Sequence, residues 1–216
     1  MRKKILAELV PTNTKLVAVS KTKPVSMIQA MYDEGQRIFG ENRVQELVEK
    51  AQVLPEDIQW HQIGHLQTNK VKYIAPFVSL IHAVDSLKLL KEINKQAKKN
   101  DRVIPCLLQF HIAEESSKFG LDQAEAEDLL NSEVFKKMEN VIIAGVMGMA
   151  TFTDDEEQVK MEFRQLKKLF DHLKDTYFPN QADFREISMG MSGDYQLAVA
   201  EGSTMVRIGS LLFGAR

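Results

Sequence analysis

The chain holds a single cysteine among its 216 residues. One thiol forms no intrachain disulfide, which excludes a stapled secreted scaffold. Cys106 sits in RVIPCLLQF among apolar residues, with no adjoining cation or helix start. It reads as a buried thiol in a reducing compartment, not as a nucleophile. No run of about 18 apolar residues occurs, so no membrane-spanning helix is expected. The apolar part of MRKKILAELV is too short for a signal peptide, and proline follows at once. An excess of either charge is also missing, since 28 Lys and Arg stand against 30 Asp and Glu, a net charge of -2. A phosphate-backbone binder carries a basic excess or stripe, so nucleic acid is not an expected partner. These absences describe a cytoplasmic, soluble protein that meets neither nucleic acid nor membrane.

What is present is ordinary globular composition, 44% hydrophobic and 27% charged. A domain of this length buries about 70% of its unfolded surface, enough to hold a core without metal or disulfide. Two periods alternate along the chain. Runs with strand character are Leu16–Ser20, Arg37–Gly40, Ile58–Ile63, Val78–Val84, Val103–Ile112, Val141–Met149, Phe184–Met189 and Thr204–Ile208. Helical spacing lies between them, most clearly where Val159, Phe163, Leu166, Phe170, Leu173 and Tyr177 step by four and three. Pro24 fits the first turn of the helix after the first strand. Eight strands, each but the last followed by a clear helix, predict a single (β/α)8 barrel over residues 1–216. An open doubly wound sheet is the competitor, weakened by the lack of G-x-G-x-x-G after the first strand.

In such a barrel the site lies at the C-terminal strand ends. Those ends carry Lys21, then Gly40-Glu41-Asn42, Gly64-His65, Asp85, Lys118, Gly148-Met149, the stretch Ser188 to Ser192, and Arg207 with Gly209-Ser210. Residues two apart on a strand share a face, so Val17, Val19 and Lys21 point one way. On the last strand Met205 and Arg207 share one face while Val206 and Ile208 share the other. The outer face meets helices and should be apolar, which turns Arg207 toward the mouth. Closure makes the first and last strands neighbours, so Lys21 and Arg207 face one cavity. Mutual repulsion and desolvation both favour a neutral lysine there, since arginine keeps its proton. A lysine so disposed is a nucleophile for a carbonyl, forming a Schiff base. The alternative is a solvated turn lysine paired with a carboxylate.

Glycine and serine after the last two strands form a second signal, because barrels bind phosphate at that corner with backbone N–H groups. Ser192 reads as the N-cap of a helix over Gly193–Glu201, and Gly209 and Ser210 as either a plain turn or part of the phosphate corner. Lys23, past the strand end and before Pro24, reads as solvated. The five histidines, His61, His65, His82, His111 and His172, share no metal-ligand spacing. Trp60 reads as core. Asp154–Glu157 reads as the acidic first turn of the long helix, with Thr153 its cap. No Ser-His-Asp or G-x-S-x-G arrangement appears.

The stretches LVAVSKTKP (16–24), GQRIFGENRVQEL (35–47), WHQIGHLQTNK (60–70), SSKFGL (116–121) and ISMGMSGDYQLAVAEGSTMVRIGSLLFGAR (187–216) resemble the pyridoxal 5′-phosphate homeostasis proteins. That resemblance implies a barrel like the N-terminal domain of alanine racemase, with covalently bound pyridoxal phosphate. Lys21 matches the Schiff-base lysine and Arg207 the arginine facing the pyridine nitrogen. Ser192, Gly209 and Ser210 match phosphate-binding positions, Ser188 and Gly190 shape that loop, and Asn42 lies beside the ring. His111 and Ala113 depart from the family's commoner residues.

An arginine opposite the pyridine nitrogen cannot accept a proton, so it weakens the ring as an electron sink. Only Leu211 to Arg216 follow the last strand, so the second domain that gives racemases their tyrosine is not expected. The resemblance therefore implies a carrier that buffers the cofactor, supplies apoenzymes, supports vitamin B6 and amino-acid homeostasis, and acts as a monomer. The competing reading is a low-activity amino-acid racemase or a Schiff-base aldolase.

Overall fold

Short strands whose residues alternate between two apolar surroundings supply the frame. The computed structural model describes residues 1–114 and 119–214. Its strands are β1 (Lys15–Val19), β2 (Ile38–Glu41), β3 (Gln59–Gln62), β4 (Leu80–Val84), β5 (Ile104–Gln109), β6 (Val141–Met147), β7 (Glu186–Ser188) and β8 (Met205–Ile208). All pair in parallel and in chain order. The ladder from Lys15↔Met205 to Ala18↔Ile208 joins β8 to β1 and closes the barrel, which rules out the open sheet.

The helices are α1 (Arg2–Leu9), α2 (Val25–Asp33), α3 (Val44–Ala51), α4 (Val71–Ile74) and α5 (Leu87–Lys99). They continue with α6 (Gln123–Asn131), α7 (Glu133–Lys136), α8 (Glu156–Tyr177), α9 (Tyr195–Ala200) and α10 (Ser210–Phe213). Among the described residues no helix is long and apolar enough to cross a membrane.

Alternation sorts the strand residues. Ala18, Phe39, Trp60 and Ile81 face outward and pack with helix residues such as Leu47, Leu90 and Phe163. Val17, Leu80, Leu107, Met147 and Met205 form a smaller cluster inside the barrel. Val206 and Ile208 pack outward with Ile5 and Leu9 of α1, so the split between the two faces of β8 is the expected one. Trp60 is core, 5.9 Å from Phe39 between ring centroids. Along α8 the stripe Val159, Phe163, Leu166, Phe170 and Leu173 is buried, as its spacing requires. Gly145 has φ +149°, and a Cβ there would lie 1.8 Å from the Glu186 carbonyl oxygen, so β6 meets β7 too closely for any side chain.

Four local expectations are corrected. Ser192 is not a helix N-cap: α9 starts at Tyr195, after a turn in which Asp194 and Tyr195 donate to the Met191 carbonyl, and Asp194 holds the cap position. Thr153 does not cap α8, because the nearer Asp155 carboxylate accepts from the Glu157 and Gln158 N–H groups. A short helix, α10, does follow the last strand. Pro24 stands at the N-cap of α2 with an extended ψ of 153°, one residue ahead of the first turn.

Candidate functional site

Lys21 follows the buried Ser20 just past the end of β1 and is half-buried. Both its neighbours are tied down from behind. Ser20 Oγ donates to Glu41 Oε1 at 2.6 Å, and the Thr22 N–H donates to Glu46 Oε2 at 2.7 Å. Lys50 of α3 joins these anchors, its ammonium donating to the Ser20 carbonyl, Glu41 Oε1 and Glu46 Oε2. Three protons meet three acceptors, so the buried cation is fully satisfied. Glu41 is fully buried and its Oε2 has no partner among the described residues. Burial pushes the Glu41 carboxyl up, against the hydrogen bonds from Lys50 and Ser20. Thr22 takes a left-handed φ of 64°, the turn that ends the strand at Lys21.

Arg207 lies inside the barrel on the neighbouring strand, paired in register with Val17 and 4% exposed. Its Nη1 donates to the Ser188 carbonyl at 2.8 Å and Ser188 Oγ at 2.6 Å, and its Nη2 donates to the Gly148 carbonyl at 3.0 Å. Those three bonds leave one Nη2 proton and the Nε proton of the five guanidinium donors unspent. Burial lowers its pKa to about 10, so it stays charged at neutral pH. A buried guanidinium with unspent donors suits an acceptor such as a ring nitrogen or a carboxylate.

The turns after β7 and β8 meet in one corner. Gly190 has φ +94°, and a Cβ would sit 2.6 Å from that of Ala198, so only glycine lets the loop return over α9. The Gly209 N–H donates to Ser192 Oγ at 3.3 Å, which joins the two halves of the corner. Ser210 opens α10 and is exposed. The N–H groups of Ser192, Gly193 and Ser210 have no acceptor among the described residues, an arrangement that fits an anion such as a phosphate. The Ser188 side chain accepts from Arg207 beneath that loop. Asn42 follows β2 half-buried, its carbonyl accepting from Gln62 Nε2 at 2.9 Å.

Lys23 is half-buried and donates to the Gly214 carbonyl at 3.0 Å, so it braces the loop. His172 meets Glu127 at 2.8 Å on the surface of α8, as a polar-face residue should. Lys118 lies outside the described residues.

Two histidines read as scattered in the sequence meet inside the barrel. His82 Nδ1 is 2.9 Å from Ser188 Oγ, and His82 Nε2 is 2.9 Å from His61 Nδ1. Burial drives His61 down to about 3, aided by Lys15, and holds His82 well below the usual range, aided by His61 and Arg207. Their strand positions beside outward Trp60 and Ile81 were the available signal. The anchoring role of Glu41 and Lys50 had no such signal.

The alanine racemase N-terminal domain family matches residues 3–216. A pyridoxal phosphate homeostasis protein of Aquifex aeolicus is 40% identical over 203 residues, covering 94% of this chain and 87% of that protein. The protein of the same name in Homo sapiens is 41% identical over 213 residues, covering 94% of this chain and 76% of its own. PipY of Synechococcus elongatus, solved with pyridoxal phosphate bound, is 35% identical with a TM-score of 0.86, covering 99% of this chain and 98% of that one. An alanine racemase of Clostridium difficile, at 15% identity and a TM-score of 0.77 over 99% of this chain and 59% of its own, shares the fold. The chain therefore belongs to the pyridoxal phosphate homeostasis proteins, a family built on the alanine racemase N-terminal domain.

Proposed function

We propose that this chain binds pyridoxal 5′-phosphate at the barrel mouth and acts as a carrier and buffer of it. The observation that supports the reading is that Lys21 stands just past β1 while Arg207 lies inside β8, the strand hydrogen-bonded to β1, in a chain whose relative holds that cofactor. The cofactor supplies an aldehyde that condenses reversibly with a primary amine and releases one water. Lys21 is the amine, held at the strand end by the Ser20, Glu41 and Lys50 cluster. Ser192, Gly209 and Ser210 receive the phosphate, Gly190 shapes their loop, and Asn42 flanks the ring. Arg207 turns its unspent donors to the pyridine nitrogen, while Ser188 holds the guanidinium from below.

Arg207 cannot accept a proton from that nitrogen, so the site binds the cofactor without making it a strong electron sink. Residues 1–216 form one binding unit, monomeric and cytoplasmic, that exchanges cofactor with apoenzymes and so supports vitamin B6 homeostasis. It needs no turnover of its own. Titration with pyridoxal phosphate tests this: a visible absorption band in the wild type, absent in Lys21→Ala with an unchanged thermal melt, is expected. No band in either protein at excess cofactor overturns it. Racemisation of alanine by the loaded protein, lost in Lys21→Ala, would replace the carrier with an enzyme.

A further inference from the structure

Four polar side chains from four strands are joined end to end inside the barrel: Arg207 of β8, Ser188 of β7, His82 of β4 and His61 of β3. Their surroundings are apolar, with Val17, Leu80, Leu107 and Met205 filling the same space. A polar string there is costlier than the apolar residues beside it, unless every member is satisfied.

The order of donors along it is determined from one end. Arg207 has protons and no lone pair to offer, so Ser188 Oγ accepts from it. The Ser188 hydroxyl proton then has His82 Nδ1 as its acceptor at 2.9 Å. With Nδ1 accepting, a neutral His82 carries its proton on Nε2 and donates to His61 Nδ1 at 2.9 Å. His61 in turn carries its proton on Nε2. We infer that His82, backed by His61, is a positioning residue for Arg207: a one-way chain of donors holds Ser188 as an acceptor, and so fixes the guanidinium with its unspent donors toward the mouth.

The carbonyls of Ser188 and Gly148 fix only the carbonyl-facing edge of the guanidinium. Ser188 Oγ is its one side-chain acceptor among the described residues. Without His82 the Ser188 hydroxyl proton would be buried with no acceptor among the described residues, and the rotamer that offers Oγ to Arg207 would lose its anchor. His82 holds that rotamer by accepting the proton. The inference rests on the cofactor reading only for the ligand that Arg207 serves.

Nitrogen-15 spectra of the imidazoles in the cofactor-free protein, together with pyridoxal phosphate titrations, test it. Both rings are expected neutral at pH 7 with the proton on Nε2. His82→Phe, which keeps a ring and removes the acceptor, should weaken cofactor binding about tenfold, the cost of one bond to a charged group. It should also move the pH profile of the visible band. His82→Asn, which keeps an acceptor for the Ser188 hydroxyl, should restore both. If His82→Phe does not fold, Ser188→Ala carries the same test, with a shifted His82 Nδ1 resonance and broadened Arg207 guanidinium signals. A proton on Nδ1 of His82, or wild-type affinity and pH profile in His82→Phe or Ser188→Ala, overturns the inference. Should the wild type bind no pyridoxal phosphate, the functional reading falls, and the imidazole and guanidinium spectra decide the positioning chain by themselves.

Discussion

Lowering the pH from about 7 to about 5 puts protons on His61 and His82 in the unfolded chain but not in the folded one. Both rings are buried inside the barrel, with Lys15 near His61 and Arg207 near His82, and burial is the larger cause of each depression. A depressed folded pKa means the contribution to stability is complete above the unfolded value of about 6.5 and is lost as the pH falls toward about 3. Each pH unit below the unfolded pKa costs about 1.4 kcal/mol per histidine, so pH 5 costs about 2 kcal/mol each and about 4 kcal/mol together. That is a large part of a typical stability of about 5–15 kcal/mol. Urea unfolding of the wild type and of His61→Asn/His82→Asn at both pH values measures it. Carboxylates contribute alike in the two proteins, so the double variant should lose about 4 kcal/mol less between pH 7 and pH 5. An equal loss in both proteins would refute the reasoning, because the rings would then titrate in the fold as they do in the open chain.

Lys50→Met should cost about 3–5 kcal/mol in urea unfolding, since it strands the buried Glu41 carboxylate, and Glu41→Gln in the same chain should recover part of that loss. Gly190→Ala meets both a φ of +94° and the Ala198 Cβ, so a loss of about 1–3 kcal/mol is expected in thermal melts, with weaker cofactor binding. Burial raises the Cys106 thiol well above its ordinary range. Ellman's reagent should therefore leave the native protein unlabelled at pH 8 and label it one-to-one in denaturant; fast native labelling would show that the β5 core opens.

Much of the site was legible because a strand has period two. Met205 and Arg207 share the inner face of β8, and apolar Val206 and Ile208 settle which face meets the helices. Eight alternating units favoured a barrel over an open sheet, and closure alone made β1 and β8 neighbours. Legibility stopped where a contact depends on how far one strand is displaced along the next. Whether Ser188 reaches a phosphate loop or Arg207, and whether His61 touches His82, is decided by register across the barrel, which period-two patterns leave open.

Helix starts fell to the same limit on a shorter scale. Ser192 and Thr153 are good caps by type, yet turns placed Asp194 and Asp155 at the helix ends. Residue type and spacing by themselves determined eight alternating units and the inward arginine, since burial forces alternation on any half-apolar strand. Tertiary structure alone decided what holds Arg207 and the chain around Lys21 in place, because Lys50, Glu41, Ser188 and His82 come from elements whose meeting is set by closure and register.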